Sequence, residues 1–295
     1  DTDIQYLIRE ELIKSEEIFK NIGSAAILIN VENGEILCCV SSPGYDPNIF
    51  SEDLETNVWN KLKNNSRAPL LNRSMSGVYP PGSTIKMAVA LAALESGIID
   101  YSTKFYCNGS KELGTSTFHC WAKDGHGKLN LMEAIEQSCD VYFYKLADRL
   151  GIEKLSNFFE HFSFGKKTGI DMPYESKGVL PSNEWKQKNI GYKWTDGDTV
   201  ITGIGQGFFL ATPLQLAYAT SILANKGIIS IPKLNKKSVP KKSKDILNRE
   251  EFFKKNITDM DWDIITNAMF DVVNKENGTA YWLSLIHISE PTRAY

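Results

Sequence analysis

The sequence predicts a mixed helix-and-strand fold of the α/β (α+β) kind, on three observations. Residues 25–31 and 35–41 are short β-type runs joined through Asn33-Gly34, the strongest short-range hairpin signal. Apolar side chains at Ile4, Leu7, Ile8, Leu12, Ile13 and Phe19 give the preceding segment helical spacing. Behind the hairpin, several helix-forming stretches alternate with glycine-punctuated loops, and no internal repeat is visible.

In order, an amphipathic helix spans residues 4–20 and the hairpin follows it. Residues 42–82 are polar, rich in Pro, Asn and Ser, and lack periodicity up to Tyr79-Pro80-Pro81-Gly82. Residues 83–97 favour helix, and their apolar residues run almost all round, so this helix is predicted to be buried, with Gly97 as its stop. Residues 130–150 read as one helix, with Asn130 as N-cap and Glu133 three residues on. A short helix covers 152–162, and loops cover 164–173 and 191–207. Pro213 sits in the first turn of a helix over 212–225, and helical periodicity returns over 249–274.

The 295 residues suffice for a large core, and 42% apolar with 23% charged residues is ordinary for a globular chain. A net charge of −3 gives no reason to expect a nucleic-acid partner, and the basic run from Lys233 to Lys244 reads as a solvated loop. No stretch reaches the roughly 18 apolar residues that span a bilayer. The chain starts without methionine or a signal-peptide pattern, so it reads as a fragment, with an upstream anchor left open.

Ser83 is the candidate nucleophile. Serine needs a base within hydrogen-bond reach, and a spacing of three puts Lys86 on the same helix face one turn away. A helix start offers free N–H groups and a positive dipole end, which favour an oxyanion and a neutral lysine. A lysine in the first turn of an apolar helix is costly unless it serves something.

Tyr79-Pro80-Pro81-Gly82-Ser83-Thr84-Ile85-Lys86 resembles the first motif of penicillin-binding transpeptidases, followed by Ser138-Cys139-Asp140 where that family carries its second. Gly125-His126-Gly127, Val141-Tyr142-Phe143-Tyr144, Phe164-Gly165 with Thr168-Gly169-Ile170-Asp171, and Gly205-Gln206-Gly207 before Thr212-Pro213-Leu214-Gln215 extend the similarity over nearly the whole chain. Asp140, where septal enzymes usually keep asparagine, is similar to the elongation-type class B enzymes known as penicillin-binding protein 2. The resemblance implies the penicillin-binding protein/serine β-lactamase-like transpeptidase fold, with mixed helices around an antiparallel sheet.

It further implies a peptidoglycan D,D-transpeptidase that serves cell shape, cross-links stem peptides through a serine acyl-enzyme and is trapped by β-lactams. No catalytic cofactor is implied. In this reading Ser83 attacks, Ser138 relays a proton, and Asp140 positions Lys86 and the substrate amide. Gly205, Gln206 and Gly207 bind substrate. The parent works on the periplasmic face of the inner membrane, anchored there, with a glycan-polymerase partner. The alternatives are a serine β-lactamase and a non-catalytic β-lactam-sensing or scaffold domain. From the residues alone, Asp140 holds Lys86 protonated, which opposes a resting free amine, so a shared proton network is expected.

Lys167-Thr168-Gly169 imitates the family's third motif but lies within a segment that matches a different part of the family. The third motif is expected beyond Asn277-Gly278-Thr279-Ala280. There the chain runs instead Tyr281-Trp282-Leu283-Ser284-Leu285 to Tyr295, so residues 1–282 read as a partial transpeptidase domain lacking its C-terminal strands, and 283–295 as a non-native tail. Little or no activity is expected of the chain as it stands.

Cys107, Cys120, His126 and Cys139 form a set suited to a closed tetrahedral structural zinc site. A Cys107–Cys120 disulfide and free thiols are the competing readings, and resemblance to elongation-type relatives with metal ligands at matching positions favours zinc. Adjacent Cys38 and Cys39 are expected to pack on opposite faces of a strand. His119 and His161 lack triad partners, and Trp59, Trp121, Trp185 and Trp194 are read mainly as packing residues.

Overall fold

The computed structural model describes residues 1–20, 23–51 and 54–283. In chain order its elements are α1 (Thr2–Phe19), β1 (Ser24–Ile29), β2 (Ile36–Ser42), α2 (Thr56–Lys63) and α3 (Lys86–Glu95), then β3 (Phe105–Cys107), β4 (Ser110–Leu113), β5 (Ser116–His119) and β6 (Gly127–Leu129). There follow α4 (Leu131–Glu136), α5 (Asp140–Leu150), α6 (Ile152–His161), α7 (Asn183–Asn189), α8 (Asp196–Thr202), α9 (Pro213–Ala224), α10 (Lys244–Asn256) and α11 (Asp259–Asn274). None of the described helices is long and apolar enough to cross a membrane.

The chain forms two compact units. One comprises residues 1–79, 163–178 and 211–243. Here β1 and β2 pair antiparallel, Ser24 opposite Ser42 and Leu28 opposite Cys38, with a register shift after Leu28. Burial alternates along β2, with Cys38 fully buried and Cys39 half-buried on the other face, where it packs against the apolar cluster of Ile36, Met75, Ile170 and Leu214. The connection is longer than the two-residue turn the Asn-Gly pair suggests, because Asn30 N–H bonds Glu35 O and closes a four-residue loop. Gly34 has φ +74°, and a Cβ there would lie 2.2 Å from Ile231 O, so only glycine fits. α1 packs on β2 and α9 on β1, around buried Ile36, Met75, Ile170 and Leu214.

Gln215 ties this unit together. A reciprocal capping box with Thr212 starts α9, as Thr212-Pro213 foretells. The fully buried Gln215 amide then donates to the carbonyls of Ser163, Lys166 and Lys177 at 3.2, 2.9 and 2.9 Å. These acceptors bracket Lys167-Thr168-Gly169, which runs as irregular backbone. Its Thr168 N–H donates to Glu175 Oε1 at 2.6 Å, so this tripeptide is a folded loop in a packed corner and not a strand.

The second unit comprises, among the described residues, 80–162, 179–210 and 244–283. α3 is its buried centre, with Val89, Ala90 and Leu91 fully enclosed, and it packs on α5, α6 and α11. Two small antiparallel pairs, β3 with β6 and β4 with β5, stand between α3 and α4 in the chain. Three expectations are corrected. The helix expected over 130–150 is two helices, broken at Gln137–Cys139, where Ser138 takes φ +50°. That over 249–274 breaks before Thr258, which caps α11 through Asp261. The glycine-rich 191–207 segment contains α8, started by a Thr195–Asp198 box.

Replacing Gln215 by leucine keeps the side chain roughly the same size but strands three carbonyls and the Thr212 N–H, leaving only the Thr212 half of the capping box. Gln215→Leu is expected to lower unfolding free energy by about 2 to 4 kcal/mol, read from the urea midpoint at unchanged slope.

Candidate active site

Gly82–Ile85 forms a 3-10 turn that runs directly into α3. The 3-10 geometry repeats every three residues, so Ser83 and Lys86 lie in line along it more closely than α-helical spacing gives. Lys86 N–H donates to Ser83 O, closing the turn. Ser83 is exposed, and its hydroxyl has no hydrogen-bond partner among the described residues. Gly205 sets the position of this turn. Its carbonyl accepts from Gly82 N–H at 2.8 Å, and a Cβ on Gly205 would sit 2.2 Å from Gly82 O. Gln206 and Gly207 follow on the exposed side of the same turn.

Lys86 points the other way from solvent, at 2% side-chain exposure. Its ammonium donates to Asp140 Oδ1 at 2.8 Å, Ser138 O at 2.9 Å and Ser138 Oγ at 3.0 Å, and lies 5.4 Å from the centre of the Phe143 ring. All three acceptors come from the break between α4 and α5 and the first residue of α5. The turn at Ser138, held by Ser138 N–H on Ile135 O and Cys139 N–H on Ala134 O, aims both the carbonyl and the hydroxyl of Ser138 at the lysine. Cys139 is the N-cap of α5, so Asp140 occupies its first position, where the helix dipole favours a negative charge.

Two forces act on the Lys86 proton. Burial penalises the charged form and is the larger, while the charge and hydrogen bond of Asp140 oppose it. The net result holds Lys86 below its ordinary value of 10.5. The sequence sets a helix start that favours a neutral lysine against an Asp140 that keeps it charged; the structure makes burial the larger of the opposing effects.

Trp121 is the residue that sequence reasoning undervalued. Its backbone N–H donates to Asp140 Oδ2 at 3.0 Å, and its indole N–H donates to Gln137 O and Ser138 O, each at 3.1 Å. Its position next to Cys120 was the available signal.

Behind Asp140, the ligand atoms of Cys107, Cys120, His126 and Cys139 all lie within 4.8 Å of one another. All three cysteines are free thiols, so the disulfide reading is not met. The Cys107 and Cys120 sulfurs are each 3.6 Å from His126 Nδ1. His126 Nε2 is buried without a partner, so the ring finds no oxygen on either nitrogen. A hydrogen bond from Cys139 pulls Cys120 down to about 5, and the same contact, with burial, pushes Cys139 up. Of the other histidines, His119 is exposed, and His161 bonds Asn157 O and stacks on Phe252.

The opposition of burial and Asp140 gives a measurable expectation. The Lys86 side chain, followed by its carbon and nitrogen resonances, should titrate below 10.5. In Asp140→Asn both contributions that raise it are weakened, so the midpoint should move further down; an upward shift would refute this balance.

The transpeptidase family, described as the penicillin-binding protein transpeptidase domain, matches residues 24–288. The peptidoglycan D,D-transpeptidase MrdA of Acinetobacter baumannii is 39% identical over 285 residues, 96% of this chain and 42% of that protein. Pseudomonas aeruginosa PBP2, solved in complex with WCK 5153, superposes with TM-score 0.81 at 38% identity, covering 89% of this chain and 59% of that one. Helicobacter pylori PBP2, solved with MreC, gives TM-score 0.80 at 38% identity, covering 91% of this chain and 48% of that one. The chain thus spans less than half the length of the curated relative it matches. Match, fold and the convergence of Lys86, Ser138 and Asp140 agree: the chain belongs to the penicillin-binding protein transpeptidase family.

Proposed function

We propose that this chain is the acyl-transferring part of a peptidoglycan D,D-transpeptidase, with Ser83 as nucleophile. One observation carries the reading: a buried lysine, held on Ser138 and Asp140 by all three of its protons, stands one 3-10 turn from an exposed serine.

In the reaction, Lys86 first passes one proton to the Asp140 carboxylate; Ser83 Oγ then attacks the penultimate D-alanine carbonyl of a stem peptide and gives its proton to the Lys86 amine so freed. A Ser83–carbonyl ester forms as the C–N bond to terminal D-alanine breaks, and that amine leaves with a proton relayed through Ser138. An amine from a neighbouring strand then attacks the ester, and the proton it sheds returns to Ser83. β-Lactams enter the same first step. The Gly205-Gln206-Gly207 turn, packed against Gly82, is positioned for the substrate backbone. A glycan polymerase as partner fits a solved relative, 28% identical, described as a peptidoglycan synthase complex that coordinates polymerization and crosslinking; the periplasmic, membrane-anchored parent rests on the family resemblance alone.

The zinc proposal rests on donor chemistry. A tetrahedral ion with bonds of about 2.3 Å to sulfur and 2.0 to 2.1 Å to nitrogen sets S···N edges of about 3.6 Å. Both measured edges match this. Cys107, Cys120, Cys139 and His126 Nδ1 would hold the ion, which would supply a closed structural anchor for the start of α5 and no chemistry on substrate. The reading of residues 283–295 as a non-native tail is also a proposal; all of them but Leu283 lie outside the described residues. Among the described residues no strand carries a Lys-Thr-Gly run.

Two measurements test these readings. A fluorescent penicillin should label this chain at Ser83, located by mass spectrometry, and Ser83→Ala should abolish the label. The family resemblance puts one oxyanion-hole N–H on the third-motif strand, which no described strand carries, so labelling should be about 100- to 1,000-fold slower than in a complete relative. Labelling in Ser83→Ala would sink the proposal, and rapid loss of bound label would favour the β-lactamase alternative. Independently, metal analysis of the reduced, folded chain should give one zinc, lost in His126→Ala with a lowered melting temperature; a zinc-free native chain would remove the metal proposal.

A further inference from the structure

We propose that Trp121 is a positioning residue for acylation, holding Ser138 and Asp140 in the arrangement that presents them to Lys86. The inference rests on Ser83 and Lys86 acting as proposed above.

Lys86 has two strong acceptors in this site, the Ser138 carbonyl and the Asp140 carboxylate, and each is shared with Trp121. Ser138 O takes Lys86 on one lone pair at 2.9 Å and the Trp121 indole N–H on the other at 3.1 Å. Asp140 takes Lys86 on Oδ1 at 2.8 Å and the Trp121 backbone N–H on Oδ2 at 3.0 Å. One residue thus completes both acceptors from the side opposite the lysine. A carbonyl with a single donor can swing about it, whereas one held between two donors cannot, and the same holds for the carboxylate about its terminal torsion.

Ser138 needs such a hold. A non-glycine residue at φ +50° is in a sparsely populated conformation that persists only where its surroundings over-determine it. The indole N–H bridges the carbonyls of Gln137 and Ser138, the two that flank the Ser138 N–H and Cα, and so braces the strained turn across its own backbone. The ring itself is 60% exposed, so burying it is not what keeps Trp121 in place. Its fixed features are the two N–H donors and an edge contact with His126 at 5.2 Å between ring centres.

The test removes the indole N–H and little else. Trp121→Phe keeps a ring and the backbone donor, and 3-benzothienylalanine at position 121 keeps the full bicyclic shape without the N–H. In both, amide exchange of Ser138 and Cys139 should quicken about 3- to 10-fold, as loss of one net hydrogen bond allows. The acylation rate constant for a penicillin should fall by a similar factor, with the non-covalent dissociation constant, melting temperature and metal content unchanged. Unchanged exchange overturns the proposal, as does faster exchange with an unchanged acylation rate. Wild-type acylation by the benzothienyl variant would assign Trp121 to packing, and a fall that tracks lost metal or melting temperature would assign it to folding; either result overturns the inference. Exchange needs no acylation, so a wild-type chain that Ser83 does not acylate would fail the function reading while still deciding whether Trp121 braces the turn.

Discussion

A charged group that has lost its water is the constraint on which the second unit is built. An isolated buried ammonium is prohibitively costly, and the protein either pairs it or drives off its proton. Lys86 is met halfway: it keeps three oxygen acceptors, yet burial still outweighs the Asp140 carboxylate. That balance requires an apolar wall on one side and a rigid polar rim on the other. α3 and Phe143 provide the first, since α3 packs on α5, α6 and α11 with almost no polar face. The break between α4 and α5 provides the second, and a continuous helix could not, because its carbonyls would be spent on its own i→i−4 bonds.

The small strands follow from the same need. The Ser138 turn is strained and short, and something outside α4 and α5 must fix it. The β4–β5 pair packs beside α5, where Tyr144 OH donates to His119 O at 3.1 Å and Phe118 meets Tyr144 edge-on. The chain then passes through Cys120 into Trp121, which reaches both ends of the turn. From the far side, α11 and the residues after it hold α4, with Lys275 3.6 Å from the buried Glu136 carboxylate and Thr279 N–H on Glu136 O. The turn is clamped from two directions by segments far apart in sequence.

Legibility in the sequence divided along the line between local and non-local causes. Helices with caps or all-round apolar character were readable, α9 from Thr212-Pro213 and α3 from its composition, and so was the first strand pair, from two β-type runs joined through Asn33-Gly34. The four residues proposed for the site, Ser83, Lys86, Ser138 and Asp140, stood out in the sequence because their motifs carry the family resemblance. The break at Ser138 was not, since Asn130 to Leu150 has good helical propensity throughout and a tertiary bond network overrides it. β3 to β6 were missed for the same reason, being three- and four-residue strands with no periodicity of their own. The cysteine–histidine set was legible as a composition, but the use of Trp121 as a double donor was not, because it depends on where two carbonyls and one carboxylate meet.

The identity of residue 140 follows from this geometry. Both oxygens of Asp140 face donors, Lys86 on one side and the Trp121 amide on the other. A carboxylate satisfies both at once. An asparagine offers one oxygen and one NH2, so one of its ends must meet a donor with a donor. The Trp121 amide cannot accept, so the NH2 must turn to Lys86, which can take its hydrogen only as a neutral amine. Aspartate at this position therefore keeps a proton on the lysine that asparagine would help remove, and the choice between them sets where the network holds its proton before substrate arrives. In this chain the carboxylate is opposed by burial, so the proton on Lys86 is held but not tightly, and passing it to Asp140 would free the amine for the acylation proposed for Ser83.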